Sequence, residues 1–282
     1  MEPVCILGAG TMGRGIAQVC AQAGHPVRLR DMTMEILEKS RAAIHQALDK
    51  GVQLGKVQAA DATTTLQRIV LHTDLASAAR GAKWVIEAVP EDVALKQRVL
   101  QEAETHLDTD AILATNTSSL SIGLIAHTLA RPTHFVGLHF FNPPHLLKLL
   151  EVVRGPKTDP GVVDAAVGFA RHLGKDPIVV KDSPGFASSR LGLALGLEAI
   201  RMLEEGVASA ADIDKAMELG YNHPMGPLKL TDLVGLDVRL AIAEHLAKTL
   251  NDARFQPPEL LRRMVKEGKL GKKTGQGFYS YK

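Results

Sequence analysis

A glycine-rich turn near the N-terminus constrains this chain more than any other feature. Gly8-Ala9-Gly10-Thr11-Met12-Gly13 follows the apolar run Val4-Cys5-Ile6-Leu7, and an acidic residue, Asp31, comes eighteen positions after Gly13. The first run predicts a short buried strand and Met12 to Ala23 a helix, with Val27-Arg28-Leu29-Arg30 as a second strand ending at Asp31. Gly8 permits a tight strand-to-helix turn, and Gly10 lets the backbone approach a pyrophosphate. Gly13, with Gly15 and Ala17 behind it, lets the helix lie close on the sheet. Thr11 and Met12 open that helix, whose N-terminus offers unpaired N–H groups and partial positive charge to phosphates. A G-x-G-x-x-G alone is weak, but here the preceding strand, the following helix and the acidic strand end coincide. The expectation is a dinucleotide pocket.

Asp31 bears on which dinucleotide. A carboxylate accepts both hydroxyls of a ribose and repels a 2′-phosphate, and Met32-Thr33-Met34 supplies no arginine to hold one. NAD is therefore expected rather than NADP. Arg28 and Arg30 precede the carboxylate, but as strand residues of like parity they share one face.

Strand-like and helix-like stretches alternate through the first two-thirds. A long helical stretch runs from Met34 to about Leu54 and on past Gly55 into Ala59–Gln67. Ile69–Leu71, Trp84–Val89, Ala111–Thr115, Thr133–His139, Leu149–Val153 and Ile178–Val180 read as strands, and Asp92 to Leu107 as a helix. Such alternation predicts an α/β domain: a Rossmann-type, doubly wound, mostly parallel sheet with helices on both faces. Strand signals stop at Asp182-Ser183-Pro184-Gly185, beyond which five helical stretches follow one another. The expected domains are 1–183, α/β, and 184–282, all-helical.

The 282 residues have room for about two domains, and 45% hydrophobic with 23% charged is an ordinary globular balance. A formal charge of +2 makes no electrostatic case for nucleic acid. Cys5 and Cys20, the two cysteines, read as small buried hydrophobes. The N-terminal apolar stretch is broken by Arg14 and glycines, so it reads as neither signal peptide nor membrane span. The expected location is the cytoplasm, with no membrane partner.

Three polar clusters fall at predicted strand ends, where open α/β sheets bind ligands. They are Asn116-Thr117-Ser118-Ser119, His139-Phe140-Phe141-Asn142, and Glu151, twelve residues beyond His139. A carboxylate among apolar residues on a buried strand is costly unless paired, and His139 is the candidate partner. A His–Glu pair fixes the imidazole tautomer and stabilises the imidazolium, which suits a general base. The bland readings are a satisfied core histidine, a surface or capping acid and a turn serine at 118.

These motifs together resemble the short-chain L-3-hydroxyacyl-CoA dehydrogenases, especially bacterial 3-hydroxybutyryl-CoA dehydrogenases. The resemblance rests on the glycine turn, Asn116–Leu120, Gly137–Pro143 and Lys148–Val153. It continues through Asp182–Phe186, His223–Pro227 and Leu270–Tyr279, so that it covers essentially the whole chain. It implies NAD-dependent, reversible oxidation of an L-3-hydroxyacyl-CoA, with His139 as base, Glu151 as its orienting carboxylate and Ser118 bonding the reacting oxygen. It implies cofactor contacts from Glu91, Lys96 and Asn116, and places Asn142 in the active-site loop. By itself Lys96 reads as a surface lysine on the helix after Glu91. The resemblance further implies that the cleft between the domains holds the thioester, and that the helical domain mediates a homodimer.

Two departures stand out. The family's substrate-contacting asparagine falls on Ser189, a shorter side chain with one hydroxyl in place of an amide. Lys50 and Lys56 match basic positions that meet coenzyme A, but Leu54 stands where relatives often have another lysine. Two alternatives remain open: a dehydrogenase of a free hydroxy acid or sugar acid on the same fold, and a nucleotide-binding protein without turnover.

Overall fold

The computed structural model describes residues 1–281. The chain divides into two compact units, Met1–Ser183 and a second from Pro184 onward. In the first unit, eight strands form one sheet: β1 (Val4–Leu7), β2 (Val27–Arg30), β3 (Ile69–His72), β4 (Trp84–Glu87), β5 (Ile112–Thr115), β6 (Phe135–Phe140), β7 (Leu149–Arg154) and β8 (Asp176–Lys181). Their order is β3-β2-β1-β4-β5-β6-β7-β8. The first six are parallel, β7 runs antiparallel to β6, and β8 runs parallel to β7. The winding reverses between β1 and β4, which opens a crevice at their C-terminal ends.

The composition of the strands explains their place. β1, β4 and β5 are buried along their whole length, as continuous apolar runs in a sheet covered on both faces must be. β8, at the sheet's end, is mostly exposed and carries Pro177, which an edge strand tolerates.

Seven helices accompany this sheet: α1 (Thr11–Gln22), α2 (Met34–Gln53), α3 (Ala59–Gln67), α4 (Leu75–Ala79), α5 (Val93–Glu104), α6 (Ile122–Ala126) and α7 (Pro160–His172). The long helix expected through residue 67 is two, because Gly55 adopts φ +66° just beyond the end of α2. The sequence reading lacked α4, α6 and α7. The first two span five residues each, too short for a helical period to show. α7 begins where Asp159 accepts from the Gly161 N–H, has Pro160 in its first turn, and buries Val162, Val163, Ala166, Phe169 and Ala170. Phe169 stacks on Trp84 with ring centroids 4.4 Å apart, which ties α7 to the sheet.

The second unit contains α8 (Ser188–Glu204), α9 (Ala210–Gly220), α10 (Pro227–Val234), α11 (Leu236–Leu250) and α12 (Glu259–Lys266). Leu193, Leu197, Ile213, Leu228 and Leu246 are among the residues of its core. Two buried aspartates organise the rest. Asp214 accepts from the Leu228 and Lys229 N–H groups at 2.7 and 3.0 Å, where α10 starts. Asp232 accepts from the N–H groups of Phe278 and Tyr279 and from the Tyr281 hydroxyl, while the Tyr279 hydroxyl donates to Asp214. The chain's last described residues are thereby pinned to the helices. Burial, reinforced by the Asp232 carboxylate, pushes the Tyr281 phenol up to about 12, and burial with Asp214 raises that of Tyr279 further. Among the described residues no helix is long and apolar enough to cross a membrane.

Candidate active site

The glycines of the first turn do different things. A Cβ on Gly8, whose φ is +102°, would lie 2.7 Å from the Ala88 carbonyl oxygen, and one on Gly13 would lie 1.8 Å from the Gly8 carbonyl oxygen. Both are demanded by the fold itself. Nothing lies within 4 Å of the place a Gly10 Cβ would take. The bare backbone there, beside the N-terminus of α1, is a cradle that fits a pyrophosphate. Gly15 serves another contact than the one expected. Its Cβ would strike the Pro144 ring at 2.7 Å, so its bareness brings α1 against the loop after β6 rather than against the sheet.

Asp31 ends β2 beside this turn. Its carboxylate accepts from the Ala9 N–H at 2.6 Å and from the Met32 N–H at 2.7 Å, one bond per oxygen. Each oxygen keeps a further lone pair for a ribose hydroxyl. Arg28 and Arg30 donate to backbone carbonyls, of Ala78 and Arg80 and of Thr73 respectively. A cavity of about 630 Å³ lies before the turn, lined by Gly10, Asp31, Met32, Ile36, Val89 and Leu95 among others. Its largely apolar wall, with the carboxylates of Asp31 and Glu102 and the guanidinium groups of Arg30 and Arg98 among its lining, suits an adenosine.

A second cavity, of about 350 Å³, shares Met12, Ala88 and Val89 with the first and is lined by Glu91, Lys96, Asn116, Ser118, His139 and Asn142. The structure thus brings together most of the residues singled out from the sequence. His139 and Glu151 sit opposite one another in the antiparallel register of β6 and β7. That pairing is why a spacing of twelve residues puts two side chains on one spot. His139 Nδ1 lies 2.7 Å from Glu151 Oε2; Glu151 is wholly buried and His139 is 6% exposed. The Phe141 ring packs on the imidazole, centroids 4.5 Å apart. Asn116 accepts from the Phe140 N–H at 2.9 Å and so fastens the end of β5 to the end of β6. The loop then turns through a cis peptide between Asn142 and Pro143.

Lys96 corrects the sequence reading. Far from being a surface lysine, it is 1% exposed. Its ammonium lies 2.8 Å from Glu87 Oε1, 3.2 Å from Glu91 Oε2 and 3.2 Å from the Val89 carbonyl oxygen. Two carboxylates draw it inward from the first turn of α5 and meet the cost of burying the charge. Glu91 in turn accepts from the Thr117 hydroxyl at 2.5 Å and the Ser118 N–H at 3.1 Å, which shapes the loop carrying Ser118. Glu87 was missed in the sequence. Its signal was available: a lone carboxylate closing the apolar strand Trp84–Glu87.

Three residues lie elsewhere. Lys50, in the last turn of α2, and Lys56, just beyond it, are exposed, and neither lines the two cavities. Ser189 sits in the first turn of α8, in the second unit. Among the described residues no group of three or more His, Cys, Asp or Glu is placed to hold a metal ion.

Comparison with known proteins identifies the family. Residues 3–183 match the family described as 3-hydroxyacyl-CoA dehydrogenase, NAD binding domain, and residues 185–281 that described as 3-hydroxyacyl-CoA dehydrogenase, C-terminal domain. A probable 3-hydroxybutyryl-CoA dehydrogenase of Deinococcus radiodurans is 42% identical over 98% of this chain and 99% of its own length. The mitochondrial hydroxyacyl-coenzyme A dehydrogenase of Homo sapiens is 42% identical over 100% of this chain and 92% of its own. The crystal structure of (S)-3-hydroxybutyryl-CoA dehydrogenase from Ralstonia eutropha superposes with a TM-score of 0.96 at 40% identity, covering 100% of this chain and 99% of that one. From the glycine turn to the pinned C-terminal residues, this chain belongs to the 3-hydroxyacyl-CoA dehydrogenase family.

Proposed function

We propose that this chain interconverts L-3-hydroxyacyl-CoA and 3-ketoacyl-CoA with NAD, using His139 as the base, and that 3-hydroxybutyryl-CoA is its substrate. One observation carries the reading. A buried His139–Glu151 pair opens on a cavity that adjoins the glycine-turn pocket through shared walls.

Bound NAD supplies the two-electron oxidation by accepting hydride from carbon 3 of the substrate. The N–H groups around Gly10 and Thr11 hold the pyrophosphate and Asp31 the adenosine ribose, while Glu91, Lys96 and Asn116 border the nicotinamide end. Glu151 can only accept at Nδ1, so it selects the tautomer with N–H at Nδ1 and the lone pair at Nε2. Nε2 takes the proton of the 3-hydroxyl as the carbonyl forms, and Glu151 balances the imidazolium. In the reverse direction the same nitrogen returns the proton to the alkoxide oxygen. The Ser118 hydroxyl bonds that oxygen in both directions, and Asn142 borders it. Lys50 and Lys56 attract the phosphates of coenzyme A.

Residues 1–183 are the NAD-binding domain in this reading, and residues 184–282 the substrate and dimerisation domain. Leu191, Leu219, Tyr221 and Leu233 stand exposed on the second unit, which supports a homodimer formed there. A cytoplasmic location is supported by Cys5 and Cys20, buried unpaired thiols that burial pushes up to about 12.

The test is an initial-rate assay of NADH consumption with acetoacetyl-CoA, beside free acetoacetate and beside NADPH. Turnover with the thioester and NADH, and little with either replacement, is the expected result. Equal rates with free acetoacetate would overturn the thioester assignment, and no turnover with any of them would overturn the reading.

A further inference from the structure

Glu87 lines neither cavity, yet the groups beneath the second one are fastened to it. Its Oε1 accepts from Lys96 at 2.8 Å and from the Val89 N–H at 2.6 Å, and its Oε2 accepts from the Thr115 hydroxyl at 2.6 Å. The Thr115 hydroxyl donates to Glu87, and its oxygen accepts from the Thr117 N–H at 3.3 Å. The carboxyl meets three donors and donates to nothing in this set, the pattern of an ionised group. Burial pushes it up from the ordinary carboxylate range, and the Lys96 ammonium opposes that rise.

Lys96 faces three acceptors with its three N–H bonds, the pattern of an ammonium rather than an amine. Glu91, accepting from Thr117 and Ser118, is the second carboxylate. The set Glu87, Lys96, Glu91 therefore holds two negative charges and one positive, and it underlies the cavity that His139 faces.

We propose that this triad is a fixed net negative charge that lowers the ratio Kd(NAD⁺)/Kd(NADH) of the site, and that Glu87 is the positioning residue that sets it. The proposal rests on the nicotinamide end occupying the second cavity. The oxidised ring carries a positive charge and the reduced ring none, so a net anion beneath the pocket attracts one form and is indifferent to the other. A neutral lysine–glutamate pair would hold the Ser118 loop as well, but would not discriminate. Partial burial shields the triad from solvent ions, so the bias persists at ordinary ionic strength.

The test is binding without substrate: dissociation constants of NADH by its fluorescence and of NAD⁺ by calorimetry. Wild type is compared with Glu87→Gln, Glu91→Gln and the double variant Glu87→Gln/Lys96→Met. Each single substitution makes the triad neutral, so Kd(NAD⁺)/Kd(NADH) should rise on the order of fivefold. The double variant leaves Glu91 as the one charge, so the ratio should return toward the wild-type value even if both constants weaken. Glu91→Gln makes the same charge change at a half-exposed position, so the test stands should Glu87→Gln fail to fold. Single variants whose two constants change by the same factor would overturn the proposal. So would a double variant whose ratio rises further. A wild-type protein that binds neither form would instead overturn the cofactor-site reading beneath it.

Discussion

Replacing Glu151 by glutamine removes one charge and little volume from a side chain that is wholly buried and opposite His139 in the sheet. When the imidazole takes a proton, two unit charges face each other at 2.7 Å. At an effective dielectric near 20 their attraction is about 6 kcal/mol. An amide oxygen in the same place returns roughly half of that as a dipolar hydrogen bond. The imidazolium, and the transition state leading to it, is then disfavoured by about 3 kcal/mol, which is roughly a hundredfold in rate. The amide can also present its NH₂ to Nδ1 and stabilise the wrong tautomer, which lowers the rate further. With neutral His139 the variant carries one buried charge fewer, so the fold should not suffer; Tm should stay within about 4 °C of wild type. The assay is kcat for 3-hydroxybutyryl-CoA oxidation at saturating NAD⁺, the direction in which the imidazolium forms, with thermal melting in parallel. A kcat within about threefold of wild type would refute the argument that Glu151 stabilises a cation at His139. A collapse of Tm together with kcat would show that the pair is principally a structural contact.

Gly10→Ala should melt as wild type does, since its Cβ enters open space, yet weaken NADH binding by about tenfold or more; Gly13→Ala should cost about 1–3 kcal/mol of stability because its Cβ lies 1.8 Å from the Gly8 oxygen. Equal melting temperatures for the two, or unimpaired binding by Gly10→Ala, would contradict the division of labour in the turn. The Tyr281 phenol is raised to about 12 in the folded protein, so the stability it contributes is complete below the unfolded value near 10 and is lost as pH climbs through 12. Melting followed by circular dichroism should fall across that window, and a Tyr279→Phe/Tyr281→Phe variant should fall less steeply.

What the sequence revealed, and what it hid, follows from the range of the physics involved. The glycine turn and its acidic strand end were legible because the positive φ of Gly8 and the close approach of Gly13 to the Gly8 carbonyl are local demands. Strands β1, β4 and β5 were legible because full burial requires unbroken apolar runs. The partnership of His139 with Glu151 followed from the cost of a lone buried carboxylate, although the antiparallel turn that creates it lies in pairing between strands. Lys96 was misread because its partners, Glu87 and Glu91, lie on the preceding strand end and loop, and helix position alone does not say which face meets them. Helix α7 carried the signal of Asp159 followed by Pro160, but its small and glycine residues diluted the apolar period. A role for Ser189 was expected only through resemblance; the structure places it in the first turn of α8.

Proton transfer depends on the imidazole at the end of β6. The most direct measurement pairs the kcat of His139→Gln in acetoacetyl-CoA reduction with its dissociation constant for NADH. Removing the residue that moves the proton should lower kcat by about 10²- to 10⁴-fold while the dissociation constant stays within about twofold of wild type. Turnover near the wild-type rate, with cofactor still bound, would contradict that dependence.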